Sequence, residues 1–210
     1  MWDQLKLKAD EAGYFCQQMY AHEKHPRIYL FYMSAFLTSA RSLTFHLQKQ
    51  FKKRDTQKTY EKLRDELLNN NECKYFVELR NHTEKEGYPP VKVNFLVARK
   101  AENTGNLVWY QHAGCSLFGE EEHAGFKFLD NLIRAEWDHA SMSGIPAQIK
   151  YTYNFIGYPE ERKSATKACQ EFMETLWYFL AKFRDEWESH NDPESWDKKF
   201  DSWLSGFDNE

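Results

Sequence analysis

Residues 73–87 read CKYFVELRNHTEKEG, and their apolar positions recur at the spacing of an α-helix. On a helix that advances by about 100° per residue, Phe76 and Val77 share one face, and Arg80 lies in the middle of that face one turn later. Desolvation of a guanidinium is costly, so Arg80 must find a carboxylate, a carbonyl or a ligand. Two interpretations follow: Arg80 pairs with Glu84 within the helix, or Arg80 belongs to a functional site.

Apolar residues at helical spacing predict further helices over residues 3–21, 27–53, 57–68, 120–139 and 160–189. The segment 27–53 is apolar on two flanks, which predicts a central helix with Phe36 and Leu43 fully enclosed. Arg41 falls between those flanks and repeats the pattern of Arg80. The last helix is expected to be the longest and to open at Pro159, because proline suits the first turn of a helix.

The remaining segments show the period of strands. Apolar and polar residues alternate over 91–97 and 149–155. The sequence NTGN at 103–106 is typical of a hairpin turn, and 107–112 is predicted as the strand that returns after it. These patterns predict a small antiparallel sheet of about three strands. The expected fold class is therefore mainly α, a helical bundle with a small inserted antiparallel β-sheet.

The chain is expected to form a single domain over residues 1–210, because this length suits one core. Within that domain we expect a helical core at about 3–87 and 158–189, an insertion with the sheet at about 88–157, and an amphipathic tail at about 194–207. The apolar face of the tail must cover either the chain's own bundle or a partner.

Composition and charge argue against several classes of protein. The chain carries 28 Lys and Arg against 32 Asp and Glu, and its net charge of −4 does not favour attraction of nucleic acid to the whole molecule. The four cysteines form no CxxC pair, which argues against a zinc knuckle or a disulfide scaffold and favours the reducing cytoplasm. The uncharged run from Arg27 to Arg41 is shorter than the roughly 18 residues that span a bilayer. We expect a cytoplasmic protein with no membrane segment.

Possible metal ligands lie in the predicted insertion, but their spacing matches no metal-binding signature. They are His112, Glu120, Glu121, Glu122, His123, Asp138 and His139. Acidic residues are ordinary at the start of a helix. We therefore expect no metal and no cofactor.

A basic run closes the segment 27–53 and continues beyond it. Lys52, Lys53 and Arg54 form its centre, and cations at the C-terminal end of a helix complement the helix dipole. A second interpretation is that these residues, together with Arg41, contact the phosphates of RNA. Both interpretations are open at this point.

Two segments, AFLTSARSLTFHLQKQF at 35–51 and YFVELRNHTEKEG at 75–87, resemble a family of uncharacterised bacterial proteins with a helical core similar to HEPN domains. The motif of HEPN proteins is an arginine, usually followed by a polar residue such as asparagine, with a histidine a few residues further on. Arg80 and Asn81 match the start of this motif, and Lys85 stands at the spacing of the histidine. The resemblance covers the helices and leaves out the inserted sheet.

This resemblance implies a HEPN-like bundle, a homodimer, and a protein that binds or cleaves RNA, as in bacterial defence and toxin systems. A metal-independent ribonuclease needs a base for the 2′-hydroxyl and a cation for the charged phosphorane. The resemblance assigns Arg80, Asn81 and Lys85 to that site, although lysine is a poor base unless it is buried. RNA is the expected partner, and DNA is not expected. The alternative is a non-catalytic protein–protein interaction module in which Arg80 is structural.

Overall fold

The computed structural model describes residues 2–52, 57–87, 89–100, 107–116, 131, 134, 148–160 and 163–187. The helices are α1 (Trp2–Ala21), α2 (Pro26–Lys52), α3 (Gln57–Leu68), α4 (Asn71–Glu86) and α5 (Ala165–Trp187), and the strands are β1 (Val91–Lys100), β2 (Leu107–Ser116) and β3 (Gln148–Phe155). The predicted fold class, mainly α with a small inserted antiparallel sheet, is confirmed. Residues 131 and 134 are helical, and the rest of the predicted helix 120–139 lies outside the described residues, as does the predicted tail at 194–207.

α2 is the central helix. Phe36 and Leu43 are both 0% exposed, which confirms the prediction that they are fully enclosed. The hydroxyl of Tyr29 lies 2.9 Å from Oγ1 of Thr166 in α5, and further along both helices the rings of Phe36 and Phe172 are 6.4 Å apart. α2 and α5 therefore lie side by side and run in the same direction.

The prediction that the last helix opens at Pro159 and is the longest is wrong. α5 begins at Ala165, because the hydroxyl of Ser164 accepts a hydrogen bond from the backbone N–H of Lys167 at 3.2 Å and so caps the helix. Pro159 is exposed and precedes that cap in a bend. With 27 residues, α2 is longer than α5, which has 23.

The sheet is joined to the helical core through one end of two strands. β1 lies between β2 and β3, and both pairings are antiparallel. Val91 and Val93 of β1 and Tyr153 and Phe155 of β3 belong to the same buried core as the helices. Phe95, further along β1, belongs to a separate small cluster, so the sheet extends away from the bundle. Among the described residues, no helix combines the length and the apolar character that crossing a membrane requires.

Candidate functional site

The segment with the predicted motif is a helix with defined ends. The side-chain oxygen of Asn70 accepts hydrogen bonds from the backbone N–H groups of Glu72 at 2.8 Å and Cys73 at 3.3 Å, which caps α4. The helix ends at Gly87, whose φ of 105° is rarely adopted by residues with a Cβ atom. Arg80 therefore lies in the second half of a continuous helix.

Arg80 is engaged by two residues of its own helix. Nη2 forms an ion pair with Oε1 of Glu84, and Nη1 donates a hydrogen bond of 2.8 Å to Oδ1 of Asn81. The Arg80 side chain is 24% exposed, and its Nε is buried without an acceptor among the described residues. Of the two interpretations of Arg80, the structure contains the pair with Glu84.

The other two residues of the predicted catalytic set are on the surface. Asn81 and Lys85 are both exposed on α4. The side-chain oxygen of Asn81 already accepts from Arg80. The burial that a lysine requires to act as a general base is not present at Lys85. Arg80 and Asn81 are thus in contact, but the arrangement is a neutralised ion pair beside an exposed lysine.

Arg41, the second arginine singled out by the sequence, has different surroundings. Its Nη1 donates a hydrogen bond of 3.3 Å to the hydroxyl of Thr44, which itself donates to the backbone carbonyl of Arg41 at 2.9 Å. Within the described part of the chain this is the one hydrogen-bond partner of the Arg41 guanidinium, and no carboxylate pairs with it. Arg41 is therefore a half-buried cation whose charge is not neutralised by a described neighbour.

Arg41 lies at the edge of a cavity of about 180 Å³ between α2, α3, α4 and α5. Its walls are mainly aliphatic and aromatic, and polar side chains lie among them. The apolar lining residues are Leu43, Leu47, Leu63, Leu67, Leu68, Val77, Leu176, Phe179 and Phe183, and the polar ones are Arg41, Thr44, Gln48, Tyr60 and Arg64. Arg80 is not part of this lining, although Val77, one turn before it, is.

The polar residues of the cavity differ in their partners. Nε and Nη2 of Arg64 donate to Oδ1 of Asp65 at 3.0 and 2.6 Å, so the charge of Arg64 is neutralised on the surface. Burial raises the pKa of the Tyr60 hydroxyl, and the charges of Arg64 and Arg41 oppose that rise. The Tyr60 ring stacks on Phe183 with 5.9 Å between centroids. Arg41 and Tyr60 thus form a polar edge on an apolar cavity.

A cluster of neutralised charges lies elsewhere, where the segment before α5 meets α4. Nζ of Lys163 lies 3.0 Å from a carboxylate oxygen of Glu72 and 3.2 Å from one of Glu160, and it also contacts Glu171. Hydrogen bonds to Glu171, Glu72 and Glu160 raise the pKa of Lys163 against the effect of burial. This cluster ties α4 to α5 and leaves no unneutralised cation for a ligand.

The predicted phosphate contacts are only partly described. Lys52 is the last residue of α2, and its side chain, like residues 53 and 54, lies outside the described part. Neighbouring cations at Lys49, Lys58 and Lys62 are exposed. In the described ranges, no three His, Cys, Asp or Glu side chains are grouped in a way that could hold a metal ion.

The sequence pointed to part of this arrangement. Arg41 interrupts two apolar flanks, and the sequence offers it as a phosphate contact. The structure shows that it lines the cavity, which the sequence does not predict. Tyr60 and Arg64 were not predicted as site residues, because only the packing of α3 against α5 brings them to the cavity. Lys163 gave no signal, since its partner Glu72 is 91 positions away in the chain.

Comparisons with protein-family models, with curated proteins and with solved structures find no match for this chain.

Proposed function

We propose that this protein is a non-catalytic interaction module with a HEPN-like helical core, in which Arg80 has a structural role. The observation that carries this proposal is the engagement of the Arg80 guanidinium by Glu84 and Asn81 within α4. The HEPN-like assignment of the helical core rests on the resemblance of residues 35–51 and 75–87 to such proteins.

The surroundings of Arg80 are unfavourable for a phosphate. Each terminal nitrogen of Arg80 already has one partner on α4, and its Nε is buried, so fewer N–H groups are left for bidentate recognition of a phosphate. A phosphate at this position would also meet the carboxylate of Glu84, and like charges at short range repel. A ribonuclease would need that ion pair to open and would need a different base, since Lys85 is exposed.

The test compares Arg80→Met with Lys74→Met, which removes an exposed cation from the same helix. We expect Arg80→Met to lower the free energy of unfolding by about 0.5–1 kcal/mol, because Glu84 loses its partner. Affinity for single-stranded RNA at low salt, measured by fluorescence anisotropy, should be the same in both variants. A tenfold loss of RNA affinity in Arg80→Met alone, with unchanged stability, would contradict the proposal.

A second candidate function is RNA binding without cleavage, and a different observation favours it. Residues 41–64 carry eight Lys and Arg against two Asp and Glu, in a chain whose net charge is −4. The exposed residues Lys58 and Lys62 belong to this segment. Clustered cations of this kind bind phosphates through release of counterions, whatever the charge of the rest of the protein.

The two candidates differ in one experiment. If the basic segment binds RNA, Lys58→Glu with Lys62→Glu should weaken RNA binding at least tenfold and flatten its salt dependence. Glu78→Lys, which changes the charge of an exposed residue of α4, is the control. Wild-type protein that binds no RNA at low salt would remove this second candidate and leave the interaction module.

We also propose a homodimer in the cytoplasm of a bacterium. The similarity to HEPN-like proteins supports the dimer, and the free thiols of Cys16, Cys73 and Cys169 support a reducing compartment. Light scattering at micromolar concentration should give twice the chain mass of 25.2 kDa. A mass equal to that of one chain would reject the dimer.

A further inference from the structure

We infer that the cavity between α2, α3, α4 and α5 is a binding site for a small apolar carboxylate, such as an aromatic acid or a short branched acid. The proposed function involves no small-molecule ligand, and the inference does not depend on the proposed function. Arg41 would hold the carboxylate, and the leucines of the cavity would enclose the apolar body of the ligand.

The size of the cavity sets the size of the ligand. Its volume is about 180 Å³. An apolar cavity of about 150 Å³ is known to admit benzene, so this one suits a single ring or a few branched carbons.

The walls determine what the body of the ligand must be. Leu43, Leu63 and Leu176 are at most 2% exposed and line the cavity from three different helices. An apolar group placed among them leaves water without losing hydrogen bonds, which favours binding. A polar or strongly hydrated ligand would lose its hydration there and gain no hydrogen bonds from these side chains.

The edge of the cavity determines the charge of the ligand. Arg41 makes its one described hydrogen bond with Thr44, whereas Arg64 is neutralised by Asp65. A carboxylate would supply the missing counter-charge and could accept two parallel hydrogen bonds from the Arg41 guanidinium. A neutral ligand would supply no counter-charge where the described residues supply none, and a cationic ligand would be repelled.

The first test uses the wild-type protein and three probes in titrations followed by ligand-observed NMR. Benzoate combines the ring with the charge, benzamide keeps the ring without the charge, and acetate keeps the charge without the ring. We expect benzoate to bind with a dissociation constant of about 1 mM or tighter. Benzamide and acetate should bind at least tenfold more weakly.

The second test locates the site with a matched pair of variants. Arg41→Gln should weaken benzoate binding about tenfold, which corresponds to about 1.4 kcal/mol, and should abolish the preference for benzoate over benzamide. Lys49→Gln removes an exposed cation of the same helix that does not line the cavity, and it should leave benzoate binding unchanged. Circular dichroism checks that both variants fold.

The position of the ligand gives an independent readout. Nuclear Overhauser effects should connect the ring protons of benzoate with the methyl groups of Leu63 and Leu176. Ring contacts only to methyl groups that do not line the cavity would overturn the inference. Benzamide binding as tightly as benzoate, or equal losses in Arg41→Gln and Lys49→Gln, would overturn it as well. Wild-type protein that shows no benzoate binding up to about 10 mM would also overturn it.

Discussion

The two ends of the helical core, both built on α2 and α5, are packed in opposite ways. At the aromatic end, the ring of Phe76 stacks on Phe172 at 4.1 Å and meets the rings of Phe36, Phe155 and Tyr158 edge-on at 5.8–6.4 Å. At the cavity end, formed by the residues that line the 180 Å³ cavity, leucines predominate and leave space between the helices. The rings at the aromatic end pack against one another both face to face and edge to face. The leucines at the cavity end come from separate helices and do not fill the space between them.

The two ends also differ in how their cations are paired. Near the aromatic end, Lys163 has three carboxylates within 3.2 Å. At the cavity end, Arg64 pairs with Asp65 and Lys182 pairs with Glu66 on the surface. Arg41 has only a hydroxyl, that of Thr44, as its described partner. An end that is closed in both packing and charge stabilises the fold, and an end that is open in both is the better place for a ligand. Stability and ligand binding are therefore assigned to opposite ends of α2 and α5.

The largest expected effect is a loss of stability, and it compares one buried residue of α2 at each end. Phe36→Ala should lower the free energy of unfolding by about 3–5 kcal/mol, because it removes a ring that is 0% exposed from the aromatic end. Leu43→Ala should cost less, about 2–3 kcal/mol, because Leu43 already faces a cavity and loses fewer contacts. Urea denaturation of both variants measures the difference. If the two losses were equal, or both below about 1 kcal/mol, the contrast in packing would be wrong.

The second prediction uses alkaline pH, because burial raises the pKa of Cys73 to about 12 at the aromatic end. Above the ordinary thiol pKa of about 8.5 the unfolded chain releases the proton of Cys73 while the folded chain keeps it. Stability is therefore fully present below about pH 8.5 and falls as the pH rises towards 12. At pH 10 this linkage amounts to on the order of 2 kcal/mol for the thiol.

The measurement is the loss of unfolding free energy between pH 7 and pH 10. Cys73→Ala should reduce that loss by about 2 kcal/mol relative to the wild type. Tyr60→Phe at the cavity end should change it by less than about 0.5 kcal/mol, since the ordinary pKa of tyrosine is near 10 and both arginines oppose the rise. A larger effect of Tyr60→Phe would place the pH dependence of stability at the cavity end and contradict the prediction.

The sequence predicts which residues of α2 are buried, but it does not predict how tightly each of them is packed. Phe36 and Leu43 belong to one apolar stripe, and the stripe predicts that both are buried, which is confirmed. Nothing in the stripe distinguishes Phe36, which meets the rings of Phe76 and Phe172, from Leu43, which lines a cavity. That difference depends on residues of α3, α4 and α5 that are far away in sequence. The start of α5 was predicted wrongly for a local reason: Pro159 is a good opening residue, but the hydroxyl of Ser164 supplies the cap.

The two arginines show the same limit. Both interrupt an apolar stripe, and the sequence assigned Arg80 and Arg41 to one kind of functional surface. Glu84 stands one turn after Arg80, and that spacing makes the intrahelical pair one of the two interpretations that the sequence offers. The structure contains this pair. No acidic residue stands within one turn of Arg41, and only the packing of four helices brings it to a cavity. Helical spacing therefore identifies a local partner, while a site formed by separate helices requires the structure.

The smallest expected effect compares these two arginines directly. Arg80→Gln should lower the free energy of unfolding by about 0.5–1 kcal/mol, because a partly exposed pair with Glu84 is lost. Arg41→Gln should change it by less than about 0.3 kcal/mol, since no described carboxylate loses a partner and Thr44 is left with its bond to the backbone. Double-mutant cycles with Glu84→Gln and Thr44→Val isolate the two pairwise energies, and the coupling should be measurable for Arg80 and near zero for Arg41. A larger loss in Arg41→Gln than in Arg80→Gln would make Arg41 a structural cation, and the cavity end would then be as closed in charge as the aromatic end.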